Sequence, residues 1–360
     1  MNSTVPRVPP ASLPASAASP LPHCLPRRPV ALALQGGGSH GAFTWGVLDR
    51  LLEEEDLEID SISGTSAGAM NGAVLTAALA AGGAERARQA LTEFWTAVAA
   101  RCAFGPLYPT AFDLLAGSPN RDLSPFYAGF DLLMRTFSPY QMNPMGIHPL
   151  RSLLTDRIDI PFLCRVTHPK LFVTATNVGR GTLKSFQGSE LSAEALLASA
   201  ALPFLWQAMA INGESYWDGG YLGNPSLHPL VRETRCSDIL LIQVTPLARP
   251  HIPMTLTAIF DRVNEISFNA TLLAELDAVA RINRLLEQGY LDGDASGMRV
   301  IHLHAIANDP RMAHFTAMSK MNSDLGFLHT LRDLGRETAH RWLQQNKERI
   351  GLESTWINPR

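Results

Sequence analysis

Three short glycine-bearing stretches hold the residue types that acyl chemistry needs. The first is Gly36-Gly37-Gly38-Ser39-His40-Gly41. Glycines let a backbone approach a ligand closely. N–H groups exposed at the helix start that follows favour negative charge. Such a loop suits a phosphate, or an oxyanion hole in which the same N–H groups hold a tetrahedral intermediate. It also satisfies GxGxxG through Gly36, Gly38 and Gly41, a weak signal by itself. The second is Gly64-Thr65-Ser66-Ala67-Gly68, a GxSxG pattern that presents a serine at the tip of a strand-to-helix turn. The third is Asp218-Gly219-Gly220, which in isolation reads as an ordinary turn and gains weight from the other two.

A serine nucleophile needs a base, and histidine is the usual one. The chain has 11 histidines, and none sits in a recognisable local base signature. His302 and His304 alternate on an expected strand and so share a face, but no Cys or acidic partner is evident for a metal. Neither a metal nor a cofactor is expected.

These stretches need rigid elements to position them. Val30 to Leu34 is a short apolar run ended by glycines, as in a buried parallel strand. Phe43, Val47, Leu48, Leu51 and Leu52 form one stripe of a helix over 42–55. A strand over 59–63 and a small-residue helix over 67–81 complete a βαβ unit, and a further helix is expected over 85–100. Strands are expected over 171–176, 182–186, 239–244 and 300–304, and long helices over 256–287 and 325–347. Residues 103–147 are rich in proline and aromatics and read as an inserted set of short helices and loops. Residues 1–29, rich in Pro, Ala and Ser, read as a disordered tail.

Taken in order, the three stretches resemble the signature of the patatin-like phospholipases: a glycine-rich loop at the first strand, GxSxG about thirty residues later, and a distant DG[GA]. Ala198-Ser199-Ala200-Ala201-Leu202-Pro203-Phe204 resembles the family's S-x-A-x-P segment between them, and Ser319-Lys320-Met321-Asn322 resembles C-terminal parts of some bacterial members. The resemblance implies a three-layer α/β/α fold with a mainly parallel central sheet. It implies Ser66 as nucleophile, Asp218 as proton acceptor, and an oxyanion hole from Gly36, Gly37, Gly38, Ser39 and Gly41, without a catalytic histidine. Gly64, Thr65, Ala67, Gly68, Gly219 and Gly220 are its motif positions. The catalytic domain would span 30–245, with 246–360 a C-terminal helical extension carrying one further strand on the same domain. The implied activity is serine acyl-ester hydrolysis of a lipid through an acyl-enzyme. One position departs from the pattern: His40 stands where the family commonly has Arg or Lys, which leaves less positive charge near the hole.

Composition bounds the rest. Hydrophobic residues at 46% and charged residues at 18% suit a globular core. The net charge of −3 gives no support for nucleic-acid binding. The four cysteines, Cys24, Cys102, Cys164 and Cys236, are scattered and fit a reducing compartment. No stretch is expected to span a membrane, so the expected location is cytoplasmic, with peripheral membrane contact through the aromatic insertion. A Rossmann nucleotide binder would need an acid at the end of the second strand. Here that strand runs through Ser63 into Gly64, and Asp60 lies at its wrong end. A non-catalytic lipid-binding relative is the other alternative.

Overall fold

The computed structural model describes residues 27–102, 129, 133, 136–249 and 252–357. Most of the expected tail and most of the 103–147 insertion lie outside the described residues.

Strand β1 (Arg28–Leu34) is followed by a 3-10 turn, Gly38–His40, and helix α1 (Gly41–Leu51). Strand β2 (Leu57–Thr65) leads directly into α2 (Ala67–Cys102). After α3 (Leu150–Arg157) come β3 (Lys170–Asn177), β4 (Thr182–Phe186), α4 (Ala193–Ser199), β5 (Met209–Ile211) and β6 (Glu214–Asp218). The chain continues through α5 (His228–Glu233), β7 (Asp238–Ile242), α6 (Leu256–Glu287), β8 (His302–Ile306) and α7 (Leu325–Asn346).

The strands form one eight-stranded sheet ordered β5-β6-β3-β2-β1-β7-β8, with β4 also on β3. The β3-β2-β1-β7-β8 stretch is parallel, and β4, β5 and β6 pair antiparallel. Successive residues of a strand face opposite sides. Val30, Leu32 and Leu34 therefore pack with α1, α2 and α7, whereas Ala31 and Ala33 pack with Leu272, Leu276 and Val279 of α6. Helices cover both faces, giving the three-layer α/β/α fold.

The strand pairing determines where the site forms. Val173 and Thr174 pair with both β2 and β4, and Ala175 to Asn177 pair with both β4 and β6. Hence β2 and β6 share one edge of β3 and approach each other head-on. β2 stops with Thr65 opposite Thr174, and β6 stops with Asp218 opposite Ala175. Ser66 and Asp218, 152 positions apart in the chain, are brought together by two strand ends that meet on adjacent residues of a third strand.

Three expectations change. The tail does not extend to 29, because Arg28 already pairs with Leu57 and its guanidinium binds Glu348 and the Lys347 carbonyl. The two helices expected over 67–100 form one element broken only at Gly82 and Gly83, where the backbone leaves helical geometry. That element is long and apolar enough to cross a membrane by composition, contrary to the sequence reading. Just over half of its most apolar stretch, 56%, is buried within the protein. Helix α7 packs along α1 where two glycines meet the partner backbone: a methyl on Gly46 would lie 1.8 Å from the Arg332 carbonyl oxygen, and one on Gly335 2.1 Å from that of Phe43.

Candidate active site

Ser66 has φ +54, a left-handed conformation that an L-residue with a side chain adopts only under constraint. The constraints are explicit. The Ser66 N–H donates to the Ser199 hydroxyl at 2.8 Å, and the Thr65 hydroxyl donates to the Gly223 carbonyl at 2.7 Å. The flanking glycines permit close backbone approach. A methyl on Gly64 would lie 2.6 Å from the Gly68 oxygen, and one on Gly68 2.1 Å from the Leu34 oxygen. The strained serine therefore projects from the turn at the start of α2.

Asp218 is buried and held on every side. Its N–H donates to the Ala201 carbonyl at 2.9 Å, and its own carbonyl accepts from the Thr176 hydroxyl at 2.8 Å. Its Oδ1 accepts from the Gly220 N–H at 2.7 Å, and its carboxyl and the Ser66 side chain line the same cavity. Burial outweighs these hydrogen bonds and the attraction of Lys320, pushing the carboxyl up to about 7. A carboxylate with that proton affinity is a far better base than an exposed aspartate.

The glycine loop lies against this pair. Gly38 has φ +58, and a methyl there would meet the Lys320 carbonyl oxygen at 2.4 Å. Among the described residues the N–H groups of Gly37, Gly38 and Ser39 donate to no protein acceptor. Gly36 and Gly41 are corrections to the expected oxyanion set. The Gly36 N–H donates to Asn224 Oδ1 at 2.7 Å, and that of Gly41 turns back to the Gly38 and Ser39 carbonyls. Both are committed to holding the loop.

Gly36 to Ser39, Ser66 and Asp218 line a single cavity of about 230 Å³. Its walls are mostly apolar, from Met70, Trp95, Leu150, Leu205, Trp206 and Phe268, with polar contributions from Asn224, Lys320 and Ser323. Such a chamber accepts a hydrocarbon chain beside a few directed donors.

Several supporting residues had little sequence signal. Gln35, one residue before the loop, accepts from the Val244 and Thr245 N–H groups at 2.8 Å and donates to Asn269 at 2.8 Å. It fixes the end of β1. Asn224 anchors Gly36 and leaves its buried Nδ2 without a partner among the described residues, although it lines the cavity. Ser199 was visible only within the ASAALPF segment.

Among the described residues no histidine lines the cavity. His40 is buried behind the loop, its Nε2 2.7 Å from the Ser319 hydroxyl, which donates to the Thr316 carbonyl. Burial first, and then Lys320 and Arg249, keep its pKa well below the usual imidazole value, so the ring is neutral. His148 stacks on Trp206 with ring centroids 4.2 Å apart, and burial lowers it to about 4. His304 has an acidic partner that the sequence did not reveal. Its Nε2 lies 3.0 Å from Asp238 on the neighbouring strand, while Nδ1 pairs with Thr355. The described residues contain no cluster of three or more His, Cys, Asp or Glu able to hold a metal.

A sequence model of the patatin-like phospholipase family matches residues 32–231, more than half of the chain. No curated protein matches the sequence. Among solved structures, VipD from Legionella pneumophila aligns with a TM-score of 0.38 at 13% identity, over 89% of this chain and 67% of that one.

Proposed function

The chain belongs to the patatin-like phospholipase family of lipid acyl hydrolases, and from that premise we propose that it hydrolyses lipid carboxylic esters through a Ser66–Asp218 dyad. The observation that carries this reading is that Ser66, held in a left-handed turn, and Asp218, a buried carboxyl raised to about 7, line one cavity with the glycine loop. Ser66 Oγ attacks the ester carbonyl as its proton passes to ionised Asp218. The carbonyl oxygen becomes an oxyanion, received by the N–H groups of Gly37, Gly38 and Ser39. As the tetrahedral intermediate collapses, Asp218 returns the proton to the departing alkoxide and leaves an acyl group on Ser66. Asp218 then takes a proton from water, which attacks the acyl-enzyme, and the fatty acid leaves as the serine is reprotonated. Each step uses protein groups already in the cavity.

The apolar walls favour an acyl chain. Exposed Met145, Ile147 and Phe204 adjoin wall residues Pro149, Leu150, Leu202 and Leu205 in sequence. We assign them to peripheral contact with a lipid surface, which keeps the substrate's chains out of water during transfer. The test is fatty-acid release from a panel of phospholipid, lysophospholipid, glyceride and short soluble ester, with Ser66→Ala as control. Ser66-dependent release from at least one lipid supports the reading. No Ser66-dependent release from any of them removes it.

A further inference from the structure

Lys320 enters the cavity from outside the family-matched segment, on the 3-10 turn Met318–Met321. That turn is fastened to the glycine loop at two points. The Ser319 hydroxyl meets His40 Nε2 at 2.7 Å, and the Lys320 carbonyl abuts Gly38. The loop and the lysine are therefore one rigid unit.

Lys320 is partly buried, and burial works against its positive charge. The charges facing it come from several elements. Asp218 faces it from the end of β6, with Tyr221 just beyond, and His40 from the loop. Arg249 acts on it from the segment before α6, and Asp261 and Glu265 from the N-terminal part of α6 itself. Glu265, the strongest of these charges on Lys320, also binds Arg249 at 2.6 Å and Arg262 at 3.1 Å. The neutral His40 supplies no charge to the loop. Lys320 is thus the cation that shares a cavity with Ser66, Asp218 and the free N–H groups.

We propose that Lys320 is a positioning residue of the hydrolytic site, supplying the positive charge that the glycine loop lacks and thereby favouring the anionic states of the reaction. Those states are the Asp218 carboxylate before attack and the oxyanion during it. The inference rests on the dyad reading, and it places part of the active site in the C-terminal extension. Its physical basis is ordinary Coulomb attraction in a poorly hydrated cavity. The effect on Asp218 has a sign: Lys320 works against burial and lowers the proton affinity of the carboxyl.

The test uses the full chain with Lys320→Met, which keeps length and removes charge, and Lys320→Arg, which restores charge. The substrate is a neutral soluble ester, so a contact to an anionic headgroup cannot contribute. Lys320→Met is expected to lower kcat about tenfold or more with little change in KM. It should also move the acid limb of kcat/KM to higher pH by about 1. Lys320→Arg should recover most of both effects. An unmoved pH limb in folded Lys320→Met, or a loss confined to anionic phospholipid, overturns the proposal. A second readout needs no activity: a denaturant double-mutant cycle between Lys320→Met and Asp218→Asn. The cycle should show coupling at pH 8.5 that fades at pH 5, where Asp218 is protonated. If the parent shows no Ser66-dependent hydrolysis, the dyad reading fails while this cycle still decides whether Lys320 and Asp218 interact. No coupling at pH 8.5 overturns the proposal independently.

Discussion

Replacing Asp218 with Asn is expected to remove hydrolysis and, at alkaline pH, to stabilise the fold. The carboxyl binds its proton with a pKa of about 7 in the folded protein, against about 3.9 for an aspartate in an unfolded chain. Folding therefore takes up a proton between those values. The raised pKa adds stability that is fully present below about pH 4 and is lost as pH rises through about 7. Three decades of proton affinity at about 1.4 kcal/mol each set a ceiling of about 4 kcal/mol. Of this, about 2–3 kcal/mol develops between pH 5 and pH 8.5. Asparagine does not titrate, its Oδ1 can still accept from the Gly220 N–H, and its Nδ2 can donate to Ser66. The variant should match the parent within about 1 kcal/mol at pH 5 and exceed it by about 1–3 kcal/mol at pH 8.5, once local relaxation reduces the ceiling. Urea midpoints of both proteins at the two pH values measure this directly. If the variant is no more stable at pH 8.5, or the gap does not change with pH, Asp218 is not a buried carboxyl ionised at a cost in stability.

Three further outcomes follow from the same geometry. The acid limb of kcat/KM on a soluble ester should follow a single group with a midpoint near 7, active when deprotonated; a limb near 4 would mean that Asp218 is solvated in the working enzyme. Gly38→Ala combines φ +58 with a 2.4 Å clash against the Lys320 carbonyl oxygen. It should lower kcat by roughly 10²-fold or more, and steady-state kinetics showing unchanged kcat would mean that the hole is built elsewhere. Each histidine changed singly to Asn or Gln should cost no more than about tenfold in kcat in a folded protein, well short of a general base. His40→Gln should cost about 1 kcal/mol of stability through the lost Ser319 contact, and any folded His variant as inactive as Ser66→Ala would restore a triad.

The turn that carries Ser66 was legible because the backbone permits few alternatives. Gly64 and Gly68 sit where a methyl would strike main-chain oxygens, and that steric demand writes GxSxG into the sequence. Burial on both faces likewise made β1 readable from a run of five consecutive apolar residues. Local pattern carried no information about β6 meeting β2 along β3, since the meeting depends on the pairing of Thr65 with Thr174 and of Asp218 with Ala175, partners distant in the chain. The assignment of Asp218 therefore leaned on family resemblance. Gly36 and Gly41 were included as oxyanion donors because sequence shows that an N–H exists but not where it points. Asn224 and a helix turn claim those two. Ser199 and Lys320 stood within segments that resemble the family, but neither segment showed that Ser199 would bind the Ser66 N–H or that Lys320 would line the same cavity as Ser66.

The central claim, that Ser66 is a nucleophile activated by Asp218, is tested most directly by peptide-resolved mass spectrometry after brief treatment with a fluorophosphonate acylation mimic. The account predicts one adduct, on the peptide containing Ser66, formed at least about 10²-fold more slowly in folded Asp218→Asn and absent in Ser66→Ala. An adduct on any other residue, or labelling of Ser66 at an unchanged rate in Asp218→Asn, would contradict it.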